Sequence, residues 1–296
     1  MTKPNFLVIG AAKSGTTSLC AKLAQHPEIF VSNPKELNFF SHDENYLDKG
    51  WPWYERFFAD AGDAKAVGEG TPLYTYHAVR PHAPERIAKD LPEARLIYMV
   101  RHPLERIESH WRQIVHNGQT DQEFEQALRS NPEYIDASKY WRQIEQYRKA
   151  FPDERILILY FEEFTRDPDA VLRTTFEFLG VDPNVRIPDA AEPVNSGSLH
   201  FRDGAVLAGL RKLPGFAPLF NAARSVAPKP IKQRLLRIVR SPLKKAQWSE
   251  ELARWTLDQV RDDVRAFLAF YGKPADYWDL DGAPKGRRSS FAAASD

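Results

Sequence analysis

Residues 5–19 read NFLVIGAAKSGTTSL. Phe6, Leu7, Val8 and Ile9 form an unbroken apolar run that stops at Gly10, the pattern of a short strand buried on both faces of a parallel sheet. Ala11 to Thr17 is a turn of glycine and hydroxyl residues. Helical spacing follows from Ser18 to Gln25 and stops at His26-Pro27, since the residue before a proline is pushed out of the α region. Strand, anion-type turn and helix in direct succession predict a nucleotide-binding α/β fold.

The turn holds what a phosphate needs. Backbone N–H groups at a helix start point at the anion, and the helix dipole adds to the attraction. Gly15 lets the backbone come close, Ser14, Thr16, Thr17 and Ser18 offer hydroxyls, and Lys13 supplies a point charge. This is not the Walker A pattern, G-x-x-x-x-G-K-[ST], where lysine follows the second glycine and the next hydroxyl serves magnesium. Here Thr16 follows Gly15 and Lys13 precedes it. A plain strand-to-helix turn capped by serine or threonine is the competing reading of the same residues.

Further along, apolar runs at 64–68, 95–100 (RLIYMV) and 155–160 (RILILY) read as buried strands. Helical patterns fall at 84–90, 103–117, 124–129, 139–151 and 169–179, with an aromatic-rich short helix at 51–58. Residues 30–40 are mixed, with Pro34 in the middle. The alternation predicts an α/β fold of the P-loop-like, three-layer kind, a central parallel sheet flanked by helices. From Val181 the prolines multiply; a Lys-, Arg- and Pro-rich stretch at 213–243 and a helix at about 249–271 predict a mainly helical C-terminal extension. The expectation is one domain over 1–296: a core at about 5–200, a helical part at about 203–280 and a mobile tail at about 282–296.

Two further segments carry chemistry. Arg101 follows the RLIYMV strand directly, where ligands of open α/β sheets bind, and a guanidinium suits a phosphate; Ser109 comes eight residues later on the following helix. Residues 31–41 read VSNPKELNFFS. Glu36 there is a candidate general base, its pKa open to being raised by a partly apolar pocket or lowered by the adjacent Lys35. Lys13-x-Gly15-Thr16-Thr17-Ser18-Leu19, the Arg101 and Ser109 spacing, and K-E-x-x-F-F at 35–40 together resemble the sulfotransferases that use 3′-phosphoadenosine 5′-phosphosulfate (PAPS), in particular the heparan sulfate and Golgi-type branch and its bacterial relatives. The likeness covers about 5–180.

The resemblance implies PAPS as co-substrate and 3′-phosphoadenosine 5′-phosphate (PAP) as product, with no metal. Lys13 would stabilise the leaving 5′-phosphate, and the turn from Ser14 through Gly15, Thr16 and Thr17 to Ser18 would cradle it. Arg101 and Ser109 would hold the 3′-phosphate, and Glu36 would be the base. The acceptor would be a hydroxyl or amine, on a carbohydrate or glycosylated small molecule. Lys35, Glu69, Thr71, Tyr74 and His110 fall on the acceptor side of such a site. One departure stands out: in several members of the resembled family a glutamate–lysine pair precedes Thr/Ser-Pro/Ala, whereas this chain reads Glu69-Gly70-Thr71-Pro72-Leu73-Tyr74. Lys35, Arg80 or a group of the acceptor side are the candidates to supply the missing charge.

Weaker candidates are His116 and Trp111 near His110, the trio His42, Asp43 and Glu44 for a metal, and Trp51, Trp53 and Tyr54 for sugar stacking, with core packing the default for the aromatics. Asn195, Ser196, Ser198 and Phe201 would lie near the nucleotide, and the basic stretch 229–245 reads as a solvated face. The bulk composition narrows the classes. With 41 basic and 40 acidic side chains the net charge is +1, which argues against a general nucleic-acid binder. Cys20 is the only cysteine, so no intrachain disulfide can form. No run of about 18 apolar residues predicts a membrane span, and residues 6–9 are too short for a signal-peptide core, so a cytoplasmic protein is the expectation. Two rivals remain: a P-loop-type nucleotide kinase or other phosphotransferase, and an inactive module that binds PAP.

Overall fold

A computed structural model describes residues 3–188 and 246–281, with the backbone alone for 201–203 and 240–242. Asn195, Ser196, Ser198, most of 229–245 and the expected tail at 282–296 lie outside the described residues. The chain divides into two compact units, one of Met1–Ile107, Asn131–Val194 and Trp248–Asp296, the other of Glu108–Ser130 and Asn195–Gln247.

In the first unit, strands β1 (Phe6–Gly10), β2 (Ile29–Val31), β3 (Ala66–Gly70), β4 (Arg95–Val100) and β5 (Ile156–Tyr160) form a sheet in the order β2-β3-β1-β4-β5. All its pairings are parallel, with Leu7 opposite both Glu69 and Leu96 and Ile97 opposite Leu157. Among the described residues the helices are α1 (Thr16–Leu23), α2 (Gly50–Glu55), α3 (Ala83–Asp90), α4 (Pro103–His116), α5 (Phe124–Ser130), α6 (Glu133–Asp136), α7 (Tyr140–Arg148), α8 (Phe161–Arg166), α9 (Pro168–Leu179) and α10 (Glu250–Phe270). α4 crosses from the first unit into the second, which also holds α5 and an antiparallel pair, Phe201–Asp203 with Arg240–Pro242.

Side chains alternate across a strand, so a strand apolar at every position must be covered on both faces. Phe6, Val8, Ile97 and Met99 pack in one cluster with Leu19 and Leu23 of α1 and Leu172, Phe176 and Leu179 of α9. Tyr98, the intervening residue of β4, meets Tyr140 of α7 and Phe267 of α10 on the opposite face. α10 buries Leu257, Val260, Val264, Phe267 and Leu268, a stripe at helical spacing, and starts on a Ser249 hydroxyl that accepts from Leu252 N at 3.1 Å. None of the described helices is long and apolar enough to cross a membrane.

Several boundaries differ from the expectation. α1 begins at Thr16 rather than Ser18, because Gly15 adopts the left-handed conformation (φ 92°) and starts the helix there. β3 runs to Gly70, which places Glu69 inside a buried strand, a position that carboxylates avoid. β2 arises in residues read as mixed: it is three residues long, and only its pairing with β3 defines it. α8 follows β5 without the break in pattern that would have marked it.

The first turn of α7 takes its cap from far along the chain: Trp141 N and Arg142 N each donate to the Asp263 carboxylate at 2.9 Å. Asp263→Ala should therefore cost about 1–2 kcal/mol of stability, read as a lower urea midpoint with an unchanged slope.

Candidate active site

Each strand of the sheet delivers a side chain to its carboxyl end. β1 leads into Lys13, β2 into Lys35 and Glu36, β3 into Gly70 and Thr71, β4 into Arg101 and β5 into Phe161. From β1 the chain builds to one side through β3 and β2, and to the other through β4 and β5. Such a reversal opens a crevice beyond the strand ends, the usual ligand position of open α/β sheets.

The turn after β1 is shaped for an anion. Leu19 N donates to Gly15 O at 3.0 Å, so the ladder of α1 starts there and the N–H groups of Thr16, Thr17 and Ser18 lie ahead of it. A side chain at position 15 is excluded twice, by the positive φ and by Phe161 Cδ2, which would lie 2.7 Å from a Cβ. Lys13 is also left-handed (φ 71°), a conformation that costs a non-glycine residue about 1–2 kcal/mol and fixes where its side chain leaves the turn. The Ser14 hydroxyl is buried with no partner among the described residues, Thr16 is buried, Ser18 is half-buried and Thr17 is exposed.

The electrostatics concentrate positive charge. Burial, then the Arg101 cation, lower the Lys13 ammonium to a pKa of about 8; Glu36 opposes the shift, and Arg106 and Lys35 add to it. Lys13, Arg101, Lys35 and Glu36 therefore share one electrostatic environment. Arg101 is held on two sides. Its Nε and Nη2 donate to Glu105 Oε2 at 3.2 and 2.8 Å, and the guanidinium lies 4.5 Å from the Phe161 ring centre. Behind it Arg106 is fully buried, donating to Ser138 Oγ at 2.5 Å and to the Tyr134 carbonyl.

Residues 35–40 depart from the expected pocket. Glu36 is not in apolar surroundings: its side chain is 50% exposed and pairs with Lys35 Nζ at 3.0 Å. Leu37, Phe39 and Phe40 take the buried positions, and Phe39 stacks on Tyr54 at 4.2 Å between ring centres. The carboxylate that is buried is Glu69. It accepts from Thr71 Oγ1 at 2.6 Å, Tyr74 Oη at 2.5 Å, Tyr54 Oη at 3.1 Å and the Leu37 N–H. Burial pushes its pKa up against these hydrogen bonds. Thr71 and Tyr74 accept in turn from Asn38 N (3.2 Å) and Phe40 N (3.5 Å), so one network grips the backbone just after Glu36. Glu69, Thr71 and Tyr74, expected on the acceptor side, thus form a buried scaffold.

Of the remaining candidates, Ser109, His110, Trp111 and His116 lie on the part of α4 that belongs to the second unit. There Trp111 is buried, donating to Gln122 O at 3.3 Å and packing on Phe124. In the first unit, His42 bonds Ser41 Oγ at 3.0 Å, Asp43 pairs with Arg86 and Glu44 with Lys49 at 2.8 Å, so the trio is engaged elsewhere. Tyr54 is buried and Trp51 packs on it, as the core reading has it. Phe161 and Arg106 escaped the sequence reading. Phe161 looks like the end of a strand, and Arg106 like a surface residue of an amphipathic helix.

The model of the sulfotransferase domain family matches residues 3–197. The heparan sulfate glucosamine 3-O-sulfotransferase 5 of Mus musculus is 28% identical over 194 residues, covering 62% of this chain and 55% of that protein. The human heparan sulfate glucosamine 3-O-sulfotransferase 3B1 is 30% identical over 187 residues, covering 60% and 46%. The chain thus spans about half the length of these curated relatives. Among solved structures, a sulfotransferase from Alicyclobacillus acidocaldarius superposes with a TM-score of 0.57 at 30% identity, over 66% of this chain and 87% of that one.

Two outcomes follow from this geometry. Limiting amine acylation at pH 7.5 should label Lys13 ahead of surface lysines, which titrate near pH 10.4. Arg101→Ala should move the pH midpoint of that labelling upward, because a cation that disfavours the ammonium has gone; an unmoved midpoint would break the link between the two. Glu69→Ala strands the hydroxyls of Tyr54, Thr71 and Tyr74 and should cost about 2–4 kcal/mol in urea unfolding.

Proposed function

The chain belongs to the sulfotransferase domain family, and we propose that it moves a sulfuryl group from PAPS to a hydroxyl or amine of a carbohydrate or glycosylated acceptor. One observation carries the reading: Lys35 Nζ lies 3.4 Å from Thr16 Oγ1 and 3.0 Å from Glu36 Oε1, so a single ammonium joins the anion turn to a solvent-reachable carboxylate. A donor phosphate on the turn and a base beside it are the two halves of an in-line transfer.

In this mechanism the turn from Ser14 to Ser18 holds the 5′-phosphate. Arg101, with its Nε and Nη2 committed to Glu105, offers its remaining N–H groups to the 3′-phosphate. Ser109 comes to the same role through the resemblance alone. Glu36 takes the acceptor proton as the acceptor oxygen or nitrogen attacks sulfur. A new bond to sulfur forms while the bond from sulfur to the bridging phosphate oxygen breaks, and that oxygen leaves with the electron pair as part of PAP. Lys13 meets the charge that grows there. Catalysis of this kind is positioning plus electrostatic stabilisation. The names of the relatives support a carbohydrate acceptor.

Calorimetric titration tests the proposal. PAP should bind the wild type and be preferred over ATP with magnesium. Arg101→Ala should weaken PAP by about 10–100-fold, the worth of a charge-assisted bond. Glu36→Gln should retain PAP binding and lose about 10²–10⁴-fold in turnover. At pH 8.5 Lys13, with a pKa of about 8, is largely neutral; a bound phosphate favours its charged form, so PAP binding should take up a proton, seen as a dependence of the heat on buffer ionisation. No PAP binding, or a preference for ATP with magnesium, would promote the kinase reading.

A further inference from the structure

Where the resemblance implies a lysine after the glutamate of β3, this chain has Gly70. The space beside Gly70 is nevertheless full. A Cβ built there would lie 2.6 Å from Cys20 Sγ and 3.0 Å from Lys35 Cε, with Lys35 Cγ at 3.5 Å. The methylene stem of Lys35 runs through the volume that a side chain at position 70 would occupy. Its backbone is fixed there as well, since Gly70 N donates to Lys35 O at 3.3 Å. The side chain is only 17% exposed, and its ammonium ends between Thr16 Oγ1 and Glu36 Oε1. Cys20 takes no part in the chemistry, because burial pushes its thiol up to about 12, far from a thiolate. Arg80, the other nearby candidate, donates to the Val79 carbonyl and meets the His42 ring at 3.5 Å.

We propose that Lys35 is a second catalytic cation of this site, contacting the sulfuryl oxygens during transfer, and that glycine at position 70 is the condition for it. The inference rests on the sulfotransferase reading. A lysine supplied from the loop after β2 stands in for one supplied from the end of β3, and the two cannot coexist because they would fill the same space. Lys35 donates hydrogen bonds to oxygens that stay on sulfur. The acceptor proton goes to Glu36, and the electron pair leaves with the phosphate oxygen at Lys13. The ammonium also holds Glu36 beside the turn, so one side chain places the base and meets the transferring group.

PAPS and PAP differ by the sulfuryl group alone, which gives a test independent of the acceptor. Both are titrated against the wild type, Lys35→Met and Gly70→Ala. Methionine keeps an unbranched stem beside Gly70 and removes the charge. Alanine at position 70 keeps the charge and displaces the stem. Both variants should bind PAPS at least about 10-fold more weakly, the loss of one charge-assisted contact, while PAP affinity stays within about threefold of wild type. PAPS consumption should fall about 10²–10³-fold in Lys35→Met. Equal weakening of PAPS and PAP would reduce Lys35 to a structural role and overturn the inference, as would wild-type PAPS affinity in Lys35→Met. A wild type that binds neither nucleotide would sink the sulfotransferase reading itself, and this assignment with it.

Discussion

The carboxylate of Glu69 sits in a buried strand with no solvent around it. An ionised carboxyl in such a place loses its hydration, and only hydrogen bonds can compensate. Three hydroxyls and one backbone N–H do so here, from Tyr54, Thr71, Tyr74 and Leu37. The arrangement is exacting because each donor is part of another element: Tyr54 belongs to α2, Thr71 and Tyr74 to the turn after β3, and Leu37 to the segment carrying the candidate base. Satisfying one buried carboxyl therefore fixes three pieces of chain relative to the sheet. Thr71 and Tyr74 extend the grip by accepting from Asn38 and Phe40, and Lys35 and Glu36 are left at its edge. A loop held so firmly on one side can keep Glu36 half in solvent and the Lys35 ammonium beside it without losing their positions.

The sheet order explains why the cations meet. Parallel strands all end on the same edge, and chain reversal about β1 sets that edge as a crevice. Lys13, Lys35 and Arg101 arrive there from β1, β2 and β4, and the pKa of Lys13 is depressed first by burial and then by the neighbouring cations, Arg101 before Lys35. Among the described residues, Glu36 pairs with Lys35 and Glu105 with Arg101, and these acids temper the cluster. An anionic ligand at such an edge would relieve repulsion already built into the fold, which is why the proposed donor with its two phosphates suits it.

How much of this could be read from the sequence depends on where the signal resides. β4 matched its expected bounds, and α3 and α4 nearly did, because apolar periodicity and Pro103 are local signals. β2 was invisible, since three residues carry no period and the pairing with β3 is what makes them a strand. The turn between β1 and α1 is legible because glycine, hydroxyls and lysine stand next to each other between an apolar run and a helical pattern. The environment of Glu36 was not: Pro34 before it and Phe39-Phe40 after it suggested a pocket, but the apolar residues turn into the core and leave the glutamate half in water. The burial of Glu69 is not legible, because nothing in Glu-Gly-Thr-Pro tells a buried acceptor from an exposed contact. That distinction depends on Tyr54, which lies 15 residues away in sequence.

Gly70 shows the limit of comparing sequences position by position. Where the resemblance implies a lysine this chain has Gly70, and loss of function is the conclusion a position-by-position reading would draw. In the arrangement proposed above the charge has only changed its attachment. The stem of Lys35 occupies the volume that glycine vacates, and the ammonium ends at the phosphate turn. What a transfer site requires is a cation at a given point, and the backbone that delivers it is free to vary if the packing volume is preserved. Glycine at position 70 is thus better understood together with Lys35 and Cys20 than as a gap. The three form one packing unit, in which a larger residue at any position would push the others out of place.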